Sequence, residues 1–239
     1  VINIVSSAPT KKLTGYAELS VNEGNENRVR LAVSGGNNMV RASLAAMKAK
    51  FDGNVDNVFD GNKVNGYDRQ GIRGRVDMSP SSNLKVSLIA DYTDSNDTTP
   101  TGVAYSTTVL SYPTNASTNN PLYAAANSPV VASPENRQIN SEIKPRVTDI
   151  NQGLSAQVDY TVDGLQFTSI SAYRGWTNTQ FQDQDRLATV YRQFVQTADR
   201  SDLDFCQYSQ ELRVASTQKQ YFEYVGGLFY FDGKNDEQY

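Results

Sequence analysis

The chain has 239 residues, a net charge of −4 and a pI of about 4.9, so it carries no basic footprint for nucleic acid. It contains no histidine, the residue type that most often serves as general base or metal ligand. No apolar run approaches the roughly 18 residues of a membrane helix. Strands that alternate apolar and polar residues are compatible with the mean hydropathy of −0.54, because their two faces average out to polar.

Most of the chain alternates apolar and polar residues at period two, which predicts β-strands. After a short β-branched run at 1–5, the predicted strands cover about 17–21, 28–33, 39–51, 67–78 and 84–92. For the alanine-rich run 39–51 a helix is the alternative. On a helix, however, Arg41, Lys48 and Lys50 would not leave a clean polar face, so we predict a strand there.

The clearest prediction is a hairpin over 153–176, with its turn at Asp163 and Gly164. Asp-Gly favours a tight primed turn, because both residues tolerate the positive φ that this turn needs. Each arm has roughly ten residues or more, whereas a usual strand has about five or six. Such long arms, apolar on one side and charged on the other, suit a wall between lipid and water. Two further strands are predicted at about 208–214 and 221–232, and the pattern leaves the faces of the second unassigned.

The predicted connections alternate strictly between short and long. The short ones cover 35–38, 79–83, 163–164 and 216–220, and the long ones cover 22–27, 52–65, 94–149 and 183–205. In an up-and-down meander this alternation puts tight turns on one edge and large loops on the other, which is the arrangement of an outer-membrane β-barrel. The alternative is a soluble sandwich with uneven loops, but Greek-key connections do not usually sort so cleanly.

Five segments share their order and spacing with a known family. They read Val-Ile-Asn-Ile-Val at 1–5 followed by Pro9, Gly-Tyr-Ala-Glu at 15–18, Thr-Ser-Ile-Ser-Ala-Tyr-Arg at 168–174, Ser-Gln-Glu-Leu-Arg-Val-Ala-Ser at 209–216 and Gly-Leu-Phe-Tyr-Phe at 227–231. Together they resemble the TonB-dependent receptors of Gram-negative outer membranes.

This resemblance implies an all-β fold: an antiparallel transmembrane β-barrel segment, with about nine strands of a barrel that has about 22. Residues 1–9 resemble the end of the plug domain. Residues 10–239 resemble the N-terminal part of the barrel, with long outer loops at about 94–149 and 183–205. Both ends look cut, so we expect a fragment of a longer protein.

The function that the resemblance implies is energy-coupled uptake of a scarce solute across the outer membrane of a Gram-negative bacterium. The solute would be a ferric siderophore, a cobalamin-like complex or a saccharide. The implied partners are outer-membrane lipid, an inner-membrane energy-coupling protein and the solute, without nucleic acid, resident cofactor or enzymatic activity. Two alternatives remain: a secreted or surface β-sheet module that binds glycans or proteins, and a passive porin-like barrel.

Charged residues recur on the polar sides of the predicted strands. Those that would face the lumen or the plug are Arg28, Arg30, Arg41, Arg73, Arg75, Glu211 and Arg213. Arginine is well suited to such contacts, because its guanidinium forms paired hydrogen bonds with carboxylates and phosphates. These residues would hold the plug or form ion pairs with one another, and direct contact with an anionic ligand is the less favoured interpretation.

Aromatic residues lie in or beside the predicted long loops, where they could stack on a ligand. These candidates are Tyr105, Tyr112, Tyr123, Trp176 and Tyr191. The alternative is that they anchor the protein at the membrane interface or pack within the loops.

No catalytic motif or strong metal site is present in the sequence. There is no Gly-x-Ser-x-Gly elbow and no phosphate-binding loop. The loop 52–63 begins with the spacing of a calcium-binding loop, but Asn57 and Lys63 stand where Gly and Glu are needed. We therefore predict no metal site, and the pattern assigns no role to the single Cys206.

Overall fold

The computed structural model describes residues 6–98, 101–111, 113–114, 116–119, 121–188, 197–217 and 222–239. Its main feature is a nine-stranded antiparallel sheet in which each strand pairs with the next along the chain. The strands are β1 (Thr14–Asn22), β2 (Glu26–Gly36), β3 (Val40–Phe51), β4 (Tyr67–Met78), β5 (Leu84–Asp97), β6 (Arg146–Val162), β7 (Leu165–Asp183), β8 (Ala198–Ser216) and β9 (Val225–Gln238). The predicted meander of about nine strands is confirmed.

Three of the four long-edge connections are longer than any short-edge connection, as predicted, but 23–25 has only three residues, so the strict alternation of short and long is wrong there. The short edge carries 37–39, 79–83, 163–164 and 217–224, and the long edge carries 23–25, 52–66, 98–145 and 184–197. In the 163–164 turn, Asp163 and Gly164 have φ values of 50° and 79°. Both lie in the left-handed region that a primed hairpin turn requires, so the Asp-Gly prediction is confirmed.

All the smaller elements lie in the connections of the long edge. They are a 3₁₀ turn (Glu23–Asn25), a three-stranded sheet (Val55–Asn57, Lys63–Val64 and Gln138–Ile139), a hairpin (Thr108–Ser111 with Ala116–Asn119) and the helix α1 (Pro121–Asn127). Within the described ranges, no helix has both the length and the apolar character to cross a membrane.

Several strands run further than the sequence pattern predicts. β5 ends at Asp97, β6 begins at Arg146 and β8 begins at Ala198, so the connections 98–145 and 184–197 are shorter than the predicted loops 94–149 and 183–205. At these strand ends both faces carry polar side chains, so the alternation disappears from the sequence. The backbone ladder continues regardless, because its hydrogen bonds do not depend on side-chain polarity.

One face of the sheet is apolar from β1 to β9. Residues opposite one another in an antiparallel pair lie on the same face, and Leu19 lies opposite Val29 while Leu31 lies opposite Ala46. Leu19 is 72% exposed and Leu154 is 59% exposed. No second layer covers this face within the part of the chain that the structure describes. Such an extended apolar surface marks a membrane or protein contact.

The register also settles two points that the sequence pattern left open. The alanine-rich run is strand β3, with Leu44 on the apolar face and Arg41 on the polar face. In β9, Leu228 lies opposite Leu212 on the apolar face, whereas Phe229 lies opposite Glu211 on the polar face.

The apolar face has a tyrosine boundary toward the long edge of the sheet. In four strands a tyrosine is followed on the apolar face by small or polar residues toward the long edge, namely Tyr92, Tyr173, Tyr208 and Tyr230. On β5 the apolar side chains run from Leu84 to Tyr92, a span of about 27 Å at about 3.4 Å per residue. Tyrosine suits such a boundary, because its ring is apolar and its hydroxyl is polar.

The buried apolar cluster lies under the long-edge connections instead of within the large sheet. Val55, Val64 and Ile139 form it, and Val64 is fully buried. This placement inverts the usual arrangement of a soluble β-protein, in which the sheet itself covers the core.

Candidate functional site

The candidate site is the polar face of the large sheet. Following the register from strand to strand places the predicted charged residues on this one face: Arg28, Arg30, Arg41, Arg73, Arg75, Glu211 and Arg213. Their role toward a plug or a lumen stays a prediction.

The most connected group on the polar face is the Asp91 bridge, which consists of Arg73, Asp91, Gly153 and Arg174. Arg73 Nη1 lies 3.2 Å from Asp91 Oδ1, and Arg174 Nη1 lies 2.6 Å from Asp91 Oδ2. The Asp91 side chain is only 14% exposed. One carboxylate therefore links β4, β5 and β7.

Gly153 makes this link possible. Asp91, Gly153 and Arg174 lie in one row across β5, β6 and β7, so Arg174 must pass over β6 to reach Asp91. Two strand spacings amount to about 10 Å, which a long arginine side chain can bridge if nothing stands between. A Cβ atom added at Gly153 would lie 2.6 Å from Arg174 Cζ. The glycine therefore leaves the gap through which the guanidinium passes.

Arg73 of this bridge and Arg75, two residues further along β4, also hold the segment that precedes β1. Arg73 Nη2 donates to Ser6 Oγ at 2.7 Å, and Arg75 Nη1 donates to the Ser6 carbonyl at 3.1 Å. Arg75 also forms a two-bonded pair with Asp77, at 2.8 and 3.2 Å. The segment 1–5, predicted as the end of a plug, lies outside the described residues.

A cavity of about 500 Å³ opens on the polar face beside Ser6. Its charged lining residues are Arg41, Arg73, Arg75, Lys85, Asp77 and Asp159. Asp159 accepts hydrogen bonds from Thr168 Oγ1 at 2.6 Å and from Gln166 Nε2 at 3.1 Å. Four cations thus face two carboxylates, and the surplus positive charge suits a carbonyl-rich segment or an anionic group.

The remaining predicted charges are paired within the face. Arg30 Nη1 lies 3.3 Å from Glu18 Oε1, and Arg213 Nη1 lies 3.4 Å from Glu211 Oε1. Arg28 pairs in the same way with the neighbouring glutamate of β2 at 3.0 Å. Of these three pairs, only Arg213 with Glu211 joins two of the predicted residues.

The aromatic candidates within the described ranges lie on different parts of the chain. Tyr105 is 69% exposed in the connection 98–145, and Tyr123 lies on α1. Tyr112 and Tyr191 lie outside the described residues.

Trp176 lies seven residues before the end of β7, inside the strand and on the polar face. Its indole N–H donates to Asp149, which also accepts a hydrogen bond from Asn178 Nδ2 at 2.8 Å. The sequence places Trp176 in or beside a long loop, whereas in the structure it lies inside β7, and a role toward a ligand stays a prediction. Polar residues on both sides of β7 hid the end of the strand.

A second group, which sequence reasoning missed, clamps the long-edge connections together. Asn57 is 2% exposed, its Nδ2 donates to the Ser141 carbonyl at 2.8 Å, and its Oδ1 accepts from the Ser141 amide at 3.1 Å. The Ser141 hydroxyl donates to Asp183 at the end of β7. This Asn57 clamp ties the connection 52–66 to the connection 98–145.

The acidic residues of the loop 52–63 do not converge. Asp56 Oδ1 lies 2.6 Å from Lys63 Nζ, and Asp60 accepts from the amide and side chain of Asn62. Partial burial raises the pKa of Asp60, but the Asn62 hydrogen bonds and the charge of Lys144 more than offset this, so the pKa is lowered. Among the described residues, no group of three or more acidic or cysteine side chains could hold a metal ion.

No protein-family model matches the sequence, and no curated protein matches it. Solved structures do match. The ferric yersiniabactin uptake receptor FyuA from Yersinia pestis is 16% identical with a TM-score of 0.72, over 98% of this chain and 33% of that one. The siderophore receptor PiuA from Acinetobacter baumannii is 12% identical with a TM-score of 0.70, over 97% and 32%.

The ferripyoverdine receptor of the outer membrane of Pseudomonas aeruginosa, solved with ferripyoverdine bound, is 14% identical with a TM-score of 0.60. That match covers 96% of this chain and 28% of the receptor. The chain thus spans about a third of the length of the receptors that it matches. The chain therefore shares the fold of part of these siderophore receptors.

Proposed function

We propose that the chain is part of an outer-membrane receptor that takes up a ferric siderophore with energy from the inner membrane. The observation that carries this proposal is the two-sided meander: an uncovered apolar face and a charged polar face on the fold of siderophore receptors. The apolar band of β5 is about 27 Å along the strand, or about 20 Å along the membrane normal at a tilt of about 40°. Such a band suits the thin bacterial outer membrane.

The polar face then lines the lumen, and the segment before β1 leads to the plug. Arg73 and Arg75 hold that segment at Ser6, and the cavity beside it carries surplus positive charge. We expect these contacts to keep the plug seated until energy is supplied from the inner membrane. A seated plug distinguishes this function from that of a passive porin.

Exposed loop residues would make the first contact with the solute. Tyr105 is the described candidate, because it is exposed on the longest connection of the long edge. The Asn57 clamp supports that connection from beneath. A ferric siderophore is the solute class we favour, because FyuA, PiuA and the ferripyoverdine receptor take their names from this class.

The test uses cells that carry the complete protein and, as the control, cells that lack its gene. Ferric siderophores loaded with radioactive iron, including ferric yersiniabactin and ferripyoverdine, are added with and without an uncoupler of the inner-membrane gradient. We expect surface binding that persists in the uncoupler and uptake that stops. Uptake that continues in the uncoupler would favour a passive porin. Recovery of the protein from cell washes without detergent would favour the secreted binding module.

A further inference from the structure

A basic cleft of about 670 Å³ lies at the long edge of the sheet, between β3, β4 and the start of β6. Six of its lining residues are charged: Lys50, Lys63, Lys144, Arg146, Asp52 and Asp68. The cavity on the polar face beside Ser6 shares none of these residues.

The cleft keeps a positive surplus after its internal ion pairs are formed. Asp68 lies 3.7 Å from the amine of Lys48, and Asp52 lies 3.7 Å from that of Lys50. Lys63 in turn is paired at 2.6 Å with a carboxylate outside the cleft lining. Lys144 and Arg146 form no ion pair with any residue in the described ranges. Arg146 therefore lies in the cleft without a carboxylate partner, and Lys144 acts on Asp60 only through the charge effect that helps to lower the pKa of Asp60.

The cleft continues the apolar face outward. Lys50, Asp68 and Asn96 lie in one row on that face. Asn96 is four residues beyond Tyr92 on β5, about 14 Å along the strand and about 10 Å along the membrane normal at a tilt of about 40°. At this distance from Tyr92, the cleft lies level with the polar headgroups of the lipids, beyond their acyl chains. Lysine side chains can reach into this layer, because their stems are apolar and only their ends are charged.

We propose that this cleft binds the phosphate of an anionic lipid headgroup in the outer leaflet. Arginine forms paired hydrogen bonds with phosphate and lysine supplies a point charge, and the cleft presents both. A lipid is favoured over a soluble phosphate, because the site lies directly above the surface that its acyl chains would cover. The inference rests on the proposed function, since it requires the apolar face to lie in a bilayer.

The complete receptor is purified in a mild detergent and its bound lipid is counted by native mass spectrometry. The probes are lipid A with two phosphates, the same lipid with its phosphates removed, and inorganic phosphate as a competitor. The variant is Lys144→Gln with Arg146→Gln. The matched control is Lys234→Gln, which removes an outward lysine on β9, away from the cleft.

We expect wild type and Lys234→Gln to bind phosphorylated lipid A equally, and the double variant to bind it about 25-fold more weakly, from about fivefold per charge. Removal of the lipid phosphates should reduce binding to the wild type in the same way. Equal binding of both lipids by the wild type would overturn the inference without any variant. Competition by inorganic phosphate at modest excess would assign the site to a soluble anion and overturn the lipid assignment.

Heat-resistant migration and membrane insertion of each variant are measured in parallel. If the receptor inserts into membranes but shows no preference for phosphorylated lipid, only this inference fails. If the wild-type receptor does not insert into membranes at all, the proposed function fails as well.

Discussion

At the scale of single residues, the Asp91 bridge depends on Gly153, which has no side chain, as well as on its charged groups. Arg73 and Arg174 are each more than 40% exposed, and exposed ion pairs contribute about 0–1 kcal/mol each. Asp91 itself is mostly buried, so it depends on both guanidinium groups to replace its water. Access for Arg174 depends in turn on Gly153.

A methyl group at position 153 should therefore displace Arg174 and leave Asp91 with one partner. We expect Gly153→Ala in the complete receptor to lower the free energy of unfolding by about 1–3 kcal/mol, measured by urea titration in detergent.

The control for this change is Gly74→Ala, on β4 and the opposite face, where the nearest atom to an added Cβ is Leu44 Cδ1 at 4.0 Å. Gly74→Ala should be close to neutral. If Gly153→Ala were equally neutral, the bridge would not stabilise the sheet.

At the scale of elements, two segments are held to the sheet by few contacts. The segment before β1 is held at Ser6 by Arg73 and Arg75 and at Thr10 by Ser34. The longest connection is held by the Asn57 clamp and by the pairing of the short strands 55–57 and 138–139. Such attachments define local opening events that need not unfold the sheet.

Removing the two guanidinium groups should release the segment before β1. We expect Arg73→Gln with Arg75→Gln to speed hydrogen–deuterium exchange in the peptide 6–10, because the Ser6 hydrogen bonds are lost. Arg30→Gln is the control, since Arg30 lies on the same face but pairs with Glu18. Equal exchange in all three proteins would contradict a role for these arginines in holding the segment.

Loss of the buried amide should loosen the long-edge connections. We expect Asn57→Ala to increase the rate of tryptic cleavage at Arg137 by about tenfold, because it leaves the backbone groups of Ser141 without partners. Asn54→Ala removes an exposed amide from the same loop and should leave the rate unchanged. Unchanged cleavage in Asn57→Ala would mean that other contacts hold the connection.

At the scale of the whole molecule, the sheet has one face suited to water and one face suited to lipid. Successive residues of each strand point alternately to the charged polar face and to the uncovered apolar face. This alternation gives a direct test of the orientation, because the same charged substitution should cost much more folding free energy at one of two neighbouring residues than at the other.

Leu44→Arg places a charge in the middle of the apolar band of β3, whereas Ser43→Arg places it on the polar face. We expect Leu44→Arg to cost about 2–4 kcal/mol of folding free energy in lipid vesicles, and Ser43→Arg to cost less than about 1 kcal/mol. Urea titration of the vesicle-inserted receptor measures both. A larger cost at Ser43 would reverse the assignment of the two faces.

The sequence alone determined where the strands of the large sheet lie, the faces of all but the last of them, and the placing of three long connections on one edge. Each of these follows from local physics: side chains alternate along an extended chain, and only certain residues, such as Asp163 and Gly164, accept the φ values of a tight turn. The predicted strand ends were wrong where that local signal vanished, as after Trp176, where β7 continues to Asp183 although both of its faces are polar.

Only the tertiary structure decided which distant residues share a row. Arg174 reaches Asp91, 83 positions away, because Gly153 happens to lie between them in the register. Asn57 meets Ser141, 84 positions away, through the pairing of two short strands. Both contacts depend on how separate segments align, and alignment is set by the hydrogen-bond ladder of the whole sheet, which no local window of sequence contains.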